Sequence, residues 1–301
     1  MTHFQCCSFG KEAWAILSDI ERSIKTKVES IGVPLKDWDV EIYRGVLTGY
    51  NDAFIISSEK RDEILDNCAD DDERKRTSAI IRPILRGRDI KRYGYEFADQ
   101  YLIATFPSRQ YNIDDYQALK SFLLSFGMER LEQTGKEYII DGEKVKSRKK
   151  TNNKWFETQD SISYWDEFSK PKIIYPNMTK FLPFVFDKEG FLTNQKCFIV
   201  TGEKLGFLTA FLNSSLFKFC FANKFPELQG RTRELSKIFM DDIPVISVTI
   251  DQEQRYATLV EDIQKEYTFD KAQNIDKQIF ELYGLSEEEQ SYIGFIDFGE
   301  N

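Results

Sequence analysis

Histidine is all but absent: the 301 residues hold one, His3, beside the N-terminus. Ser-His-Asp and Cys-His catalysis, and imidazole-based metal sites, therefore have almost no raw material. Cysteine is sparse and scattered. Cys6, Cys7, Cys68, Cys197 and Cys220 form no C-x-x-C pair, which argues against a zinc site and for free thiols in a reducing compartment. The glycine signatures that cradle phosphate, G-x-x-x-x-G-K-[ST] and G-x-G-x-x-G at a strand–helix junction, are missing. No E-x-K follows an acidic strand end in the manner of metal-dependent nucleases. No run nears the ~18 apolar residues of a membrane span, and no basic-then-apolar leader follows Met1, so a cytoplasmic location without membrane contact is expected. Paired carboxylates occur at Asp166-Glu167 and Asp241-Asp242, but with 50 acidic residues in the chain such neighbours are expected by chance.

The net charge of −9 disfavours a nucleic-acid partner until its distribution is read. Asp251 to Asn301 holds 13 acidic and 4 basic residues, and the preceding 250 residues balance at 37 of each. All the excess negative charge belongs to the tail. In the balanced part, Arg82, Arg86, Arg88, Lys91 and Arg92 oppose only Asp89, and Lys144, Lys146, Arg148, Lys149, Lys150 and Lys154 enclose no acid. Local patches of this kind, more than the total, set a phosphate-binding field.

Apolar residues at three- and four-residue spacing from Ala13 to Ile31 predict an amphipathic helix over 11–31. "YRGVLTGYNDAFII" (Tyr43–Ile56) reads as a strand pair whose bend holds Arg44, Gly45, Thr48, Gly49 and Asn51, more polar and glycine residues than a plain hairpin needs. An acidic helix is expected over Ser58–Asp72, a strand at Tyr101–Phe106, and a helix in "DYQALKSFLLSFG". Asp141-Gly142 signals a hairpin in "EYIIDGEKVK". A strand at "KPKIIYP", a second hairpin around Asp187–Gly190, and one apolar helix in "EKLGFLTAFLNSSLFKFCFAN" follow. Helices over Gln252–Tyr267 and Ile275–Tyr283 precede a capping box at Ser286 and Glu289. Hairpins and helices without regular βαβ alternation indicate an α+β fold, a twisted mixed or antiparallel sheet with packed helices and a helical C-terminus. The expected organisation is an N-terminal helix and linker (1–36), a body (37–250) and an acidic helical tail (251–301).

The chemistry on offer is polar and basic side chains on turns. In Arg86-Gly87-Arg88, glycine lets the backbone approach closely while guanidiniums can fork onto phosphate or guanine. The alternative is that these arginines pair with surface acids. "KSRKKTNNKW" interleaves Lys149, Lys150 and Lys154 with Asn152 and Asn153, where lysine neutralises phosphate and asparagine can read adenine. Its plain alternative is a solvated hairpin end. Arg231 and Arg233 in "GRTREL" repeat the theme, or cap a helix.

Several segments occur in a familiar order: "IYRGVLTGYNDAFII", "IRPILRGRDIKRYG", "TNNKWFE…YWDEFSKPKIIYPNM", "FLTNQKCFIV…LTAFLNSSL" and "MDDIPV". With the closing "IDKQIFELYGLSEEEQSYI", they resemble the TaqI-like C-terminal specificity domain of type IIG restriction–modification enzymes and related adenine-specific DNA methyltransferases, over about residues 10–295. The resemblance implies a target-recognition domain gripping double-stranded DNA opposite a methyltransferase domain, which flips an adenine and methylates it from S-adenosylmethionine. The chain departs from the full-length pattern: it has no Pro-Pro, hence no Asn/Asp-Pro-Pro-aromatic motif, and no glycine-rich cofactor motif. It is therefore expected to need methyltransferase or nuclease domains of the same enzyme, or of another subunit, and to hold no cofactor itself. By motif position the implied contacts are Arg44, Thr48 and Asn51; Arg86, Arg88, Lys91 and Arg92; Lys149, Lys150, Asn152, Asn153 and Lys154 before Trp155; and Lys172, Asn177 and Lys180. Competing readings are an unrecognised carboxylate-dependent enzyme, or a protein-interaction or carbohydrate-binding module suggested by the 14% aromatics.

Overall fold

The computed structural model describes residues 17–296. His3, Cys6, Cys7 and the first residues of the predicted N-terminal helix, Ala13 and Ile16 among them, lie outside that range. Helix α1 (Asp19–Ile31) starts at a Ser18/Glu21 capping box and buries Ile24 and Val28. It stops at Gly32, where a Cβ would lie 2.6 Å from the Pro244 ring.

The stretch predicted as the first hairpin is not one. Strand β1 (Val40–Arg44) belongs to one sheet, and β2 (Ile55–Ser57) to another. Between them Gly45–Tyr50 and a helical turn at Asn51–Phe54 carry the chain across, burying Ala53 and Phe54. Alternating Val, Ile, Tyr and Phe mark a strand with a buried face, and do not say which strand it pairs with. The predicted acidic helix is two: α2 (Ser58–Asp66) and α3 (Asp71–Ile80). Asp70 caps the second by accepting from the Glu73 N–H at 2.7 Å.

Strands β3 (Ile81–Leu85) and β4 (Gln100–Ile103) follow, then α4 (Gln117–Leu124). The hairpin of β5 (Glu137–Ile140) and β6 (Glu143–Lys146) turns at Asp141 and Gly142, both at positive φ (51° and 83°). That is the geometry an Asp-Gly pair is selected for. Strands β7 (Lys172–Pro176), β8 (Val185–Asp187), β9 (Leu192–Thr193) and β10 (Cys197–Gly202) complete the sheets. The second predicted hairpin also fails: β8 and β10 flank β7 on opposite sides, and β9 leaves to run parallel to β3. The buried Asp187 carboxylate bends the chain there, accepting from the Glu189 and Phe191 N–H groups and pairing with Lys172.

Two four-stranded sheets result. The first, in order β8-β7-β10-β1, is wholly antiparallel, and the second, β9-β3-β4-β2, is mixed. Strand β7 is buried from Lys172 to Pro176 because both faces of the first sheet are covered. Ile173 and Tyr175 point into one core with α1 and the C-terminal helices, and Ile174 into a second with Val185, Cys197 and Ile199.

The apolar segment predicted as one helix breaks into α5 (Leu205–Leu212) and α6 (Ser215–Phe221), bent by 65°. Asn213 makes the break. Its carboxamide accepts from the Phe184 N–H and donates to the Phe184 carbonyl, while Ser214 caps α6. No single helix among the described residues is long and apolar enough to cross a membrane.

Helices α7 (Ile250–Lys265), α8 (Phe269–Leu282) and α9 (Glu287–Ile293) form the acidic end. The predicted Ser286/Glu289 capping box is present. Tyr256, Val260, Ile263, Ile275, Ile279 and Phe280 join the first core, each such burial contributing about 1.5–3 kcal/mol. Most of the described negative charge thus sits on the outer faces of helices whose inner faces are apolar, with Asp276 and Glu289 the buried exceptions.

Candidate nucleic-acid interface

Two of the sequence motifs meet at one side chain. Arg148, from the basic segment, is 4% exposed and lies over the Phe54 ring, its guanidinium 5.0 Å from the centroid. It donates to the carbonyls of Leu131 and Thr48 (2.9 Å each), and to those of Glu157 and Trp155. Burial pulls this guanidinium down to about 10, which leaves it charged at neutral pH. Arg148 therefore fastens the Thr48–Asn51 turn to the basic Lys149–Lys154 loop. Gly49, at φ 77°, has Gln159 and Arg148 packed where a Cβ would stand. An open cleft of about 320 Å³ runs between this turn and the β5–β6 hairpin, lined by Tyr50, Arg130, Lys144 and Lys146.

A second junction forms around Asn194, Gln195 and Lys196. The Gln195 N–H donates to the Val46 carbonyl (2.9 Å), and its own carbonyl accepts from Arg44 Nε (3.3 Å). The Lys196 carbonyl accepts from the Asn177 N–H at 2.7 Å. Gly45 is required here, since a Cβ would fall 2.0 Å from the Asn194 carbonyl oxygen. Gly87 packs against Lys196 and Pro176, both 3.3 Å from its ideal Cβ. The Leu235 N–H donates to the Asn177 carbonyl, adding the 232–235 segment. One short loop thus gathers Arg44, the Arg86–Arg88 turn and Asn177, which lie far apart in sequence.

Some implied contacts are placed where a nucleic acid has no access. Lys172 is fully buried, its ammonium held by Asp187 and the Phe168 carbonyl. Arg92 is 7% exposed, donates to the Asn213 carbonyl at 2.9 Å and lies 3.8 Å from Asp276. Thr48 is fully buried: its hydroxyl donates to Asn51 Oδ1 (2.7 Å) and accepts from the Tyr50 N–H. These three are structural residues, because a buried polar group must be matched inside the protein.

Others are exposed in part but engaged. Arg86 forks onto Asp89 at 2.9 Å, the acid-pairing alternative raised for that turn. Arg233 is held by Phe225, Asn223 and Glu227. Asn153 donates to the Thr158 and Gln159 carbonyls, and Lys91 lies 3.8 Å from Glu96. Asn51 is exposed with its carbonyl oxygen committed to Thr48. Arg44, Arg88, Lys149, Lys150, Asn152, Lys154, Lys180 and Arg231 are exposed, and Asn177 half-buried. The cations among these eight make no salt bridge to a described residue.

Lys196, Arg130 and the organising role of Arg148 escaped the sequence reading. The signal for Lys196 was available: "TNQK" is a polar interruption between two apolar strands. Asp160 tempers the patch. Burial raises its carboxyl, against the pull of Arg44 and Lys149. The paired carboxylates converge on nothing. Glu167 accepts from Lys170 and Thr201, and Asp241 and Asp242 pair with Lys237 and Lys36. Among the described residues no group of three or more His, Cys, Asp or Glu could hold a metal ion.

Comparison with known proteins fits this arrangement. No curated protein matches the chain in sequence. Solved structures share its architecture. The type IIG restriction endonuclease BpuSI aligns with a TM-score of 0.52 at 14% identity, over 89% of this chain and 34% of that one. The type IIL restriction–modification enzyme MmeI, solved in complex with DNA, aligns with a TM-score of 0.57 at 11% identity, over 87% and 36%. At such identities the likeness is one of fold, and the chain spans about a third of either enzyme's length. The model of the TaqI-like C-terminal specificity domain matches residues 82–245, more than half the chain, and takes in the Arg86–Arg88 turn, the basic loop and the Asn194–Lys196 junction. The chain belongs to the TaqI-like C-terminal specificity domain family.

Proposed function

We propose that this chain recognises a short sequence in duplex DNA, as the target-recognition part of a type IIG restriction–modification enzyme that methylates adenine N6. The observation that carries the reading is the gathering of exposed cations without ion pairs, Arg44, Arg88 and Lys196 at one junction and Lys149, Lys150 and Lys154 in the adjoining loop. Cations left unpaired on a preformed surface are what a polyanion requires. In this reading the lysines and arginines take phosphates, the exposed Asn152 faces base edges, and the half-buried Asn177 lies beside them. The fold likeness to an enzyme solved with DNA supports it.

Methyl transfer and cleavage belong to domains outside this chain, which lacks the Pro-Pro of the amine-holding motif. S-adenosylmethionine would be bound by that other part. The acidic segment from Asp251 onward, with its net charge of −9, repels phosphate and is not a DNA contact in this reading.

Selection from random duplexes tests the proposal. It should enrich one short sequence, with each wrong base costing about 1–3 kcal/mol. Affinity should fall with salt at a slope of about −0.9 per phosphate contact. Selection that enriches nothing at any ionic strength overturns the reading.

A further inference from the structure

The Asn194–Lys196 junction holds its middle residue in an unusual state. The Gln195 backbone is fixed on both sides, its N–H on the Val46 carbonyl and its carbonyl under Arg44 Nε. The flanking residues are fixed as well: Asn194 Oδ1 accepts from the Lys196 N–H, and the Asn194 carbonyl from the Cys197 N–H. The side chain is the exception. Gln195 Oε1 is buried without a hydrogen-bond partner among the described residues, and the amide nitrogen donates to none of them. Asn177, joined to the same loop through Lys196, also has an unengaged buried side-chain oxygen.

An unmatched buried acceptor costs about 1–3 kcal/mol, and most native polar groups avoid it. Other buried oxygens share this state, Tyr175 and Gln278 among them, but Gln195 carries it on a backbone-fixed loop beside exposed cations, where the amide can turn to another partner. No hydrogen bond retains the half-buried side chain in its inward rotamer, so turning outward breaks none. Beside it stand two exposed cations, Arg44, bonded to its carbonyl, and Lys196, the next residue.

We propose that Gln195 is a base-reading residue, whose carboxamide turns outward in the complex and pairs with an adenine edge in the major groove. A glutamine amide supplies the acceptor and donor that match adenine N6 and N7, a pairing the phosphate-binding lysines cannot make. This inference rests on the DNA-recognition reading and adds which residue discriminates and which base it selects.

The test compares selection logos of the wild-type chain and two variants, from the same random duplex pool. Gln195→Ala should relax one position from adenine to all bases, lowering affinity for the wild-type site about tenfold and leaving the salt slope unchanged. Gln195→Glu keeps the shape but replaces the donor with an acceptor, and should move that position from adenine towards cytosine. Thermal melting of both variants secures the comparison, since the loop is held by backbone rather than by this side chain. A Gln195→Ala logo identical to wild type, or an equal loss on all sequences, overturns the assignment while DNA recognition stands. A wild-type chain that enriches no sequence defeats the underlying reading instead.

Discussion

Replacing Arg148 with methionine removes a buried group that ties the Thr48–Asn51 turn to the basic loop. Its guanidinium serves four carbonyls, those of Leu131, Thr48, Glu157 and Trp155, and is 4% exposed. Charge-assisted bonds contribute about 1.5–3 kcal/mol each, so the gross loss is on the order of 6–12 kcal/mol. Against it stands the desolvation of a buried cation, several kcal/mol, which methionine no longer incurs. The difference leaves about 3–5 kcal/mol of destabilisation, a large share of the 5–15 kcal/mol typical of a domain. Arg148→Lys should recover only part of it, because a single ammonium with three donors cannot span four carbonyls. Urea denaturation followed by tryptophan fluorescence measures the change, with Trp155 itself bonded to the group removed. Where the lysine variant stays folded, its DNA salt slope should match wild type, since Arg148 presents nothing to phosphate. An Arg148→Met midpoint equivalent to less than about 1 kcal/mol from wild type would refute the claim that this residue organises the site.

Other perturbations separate structural residues from contacting ones. Lys172→Met should cost about 3–5 kcal/mol in urea unfolding by stranding the buried Asp187 carboxylate, with Lys172→Met/Asp187→Leu recovering part of the loss if the acid is the cause. Arg88→Ala and Lys196→Ala should each flatten the salt dependence of DNA affinity by about 0.9 without altering the selected sequence; a changed logo would reassign either residue. Gly45→Ala should lower stability by about 1–3 kcal/mol or more, since the new Cβ meets the Asn194 carbonyl at 2.0 Å, and normal melting would contradict the close approach. Burial works to raise the Glu289 carboxyl, but Lys27, the Ser286 N–H and Ser23 together hold it down to about 2. Its contribution is present above the unfolded value of 4.5 and lost as pH falls towards 2. Glu289→Gln should remove that part of the acid dependence, and an unchanged profile between those values would contradict the assignment.

The exposed candidates and the buried ones were indistinguishable as residue types. Lys172 and Lys180 both flank "IIYPN", yet one lies in a core and the other in solvent. The difference is that both faces of the first sheet are covered, which a strand's own residues do not report. Arg86 and Arg88 differ likewise: the turn geometry puts Asp89 under the first and leaves the second outside. The polar "TNQK" between two apolar strands marks a loop at Lys196, but not which distant segments that loop meets.

Local rules were legible wherever the determining atoms lie within a few residues. The Asp141-Gly142 turn, the Ser286 capping box, the C-terminal helices and the α+β class all follow from contacts of that range. The near-absence of histidine, the missing phosphate loops, and the confinement of the excess negative charge to the tail were likewise properties of the sequence by itself. Strand partnership was not, since β1 and β2 are adjacent in the chain but pair with β10 and β4. Nor was the hub at Asn194–Lys196, which gathers Arg44, Gly87 and Asn177 through backbone contacts between distant segments. Which polar residues face solvent and which are spent inside depends on such long-range packing, and only the tertiary structure decided it.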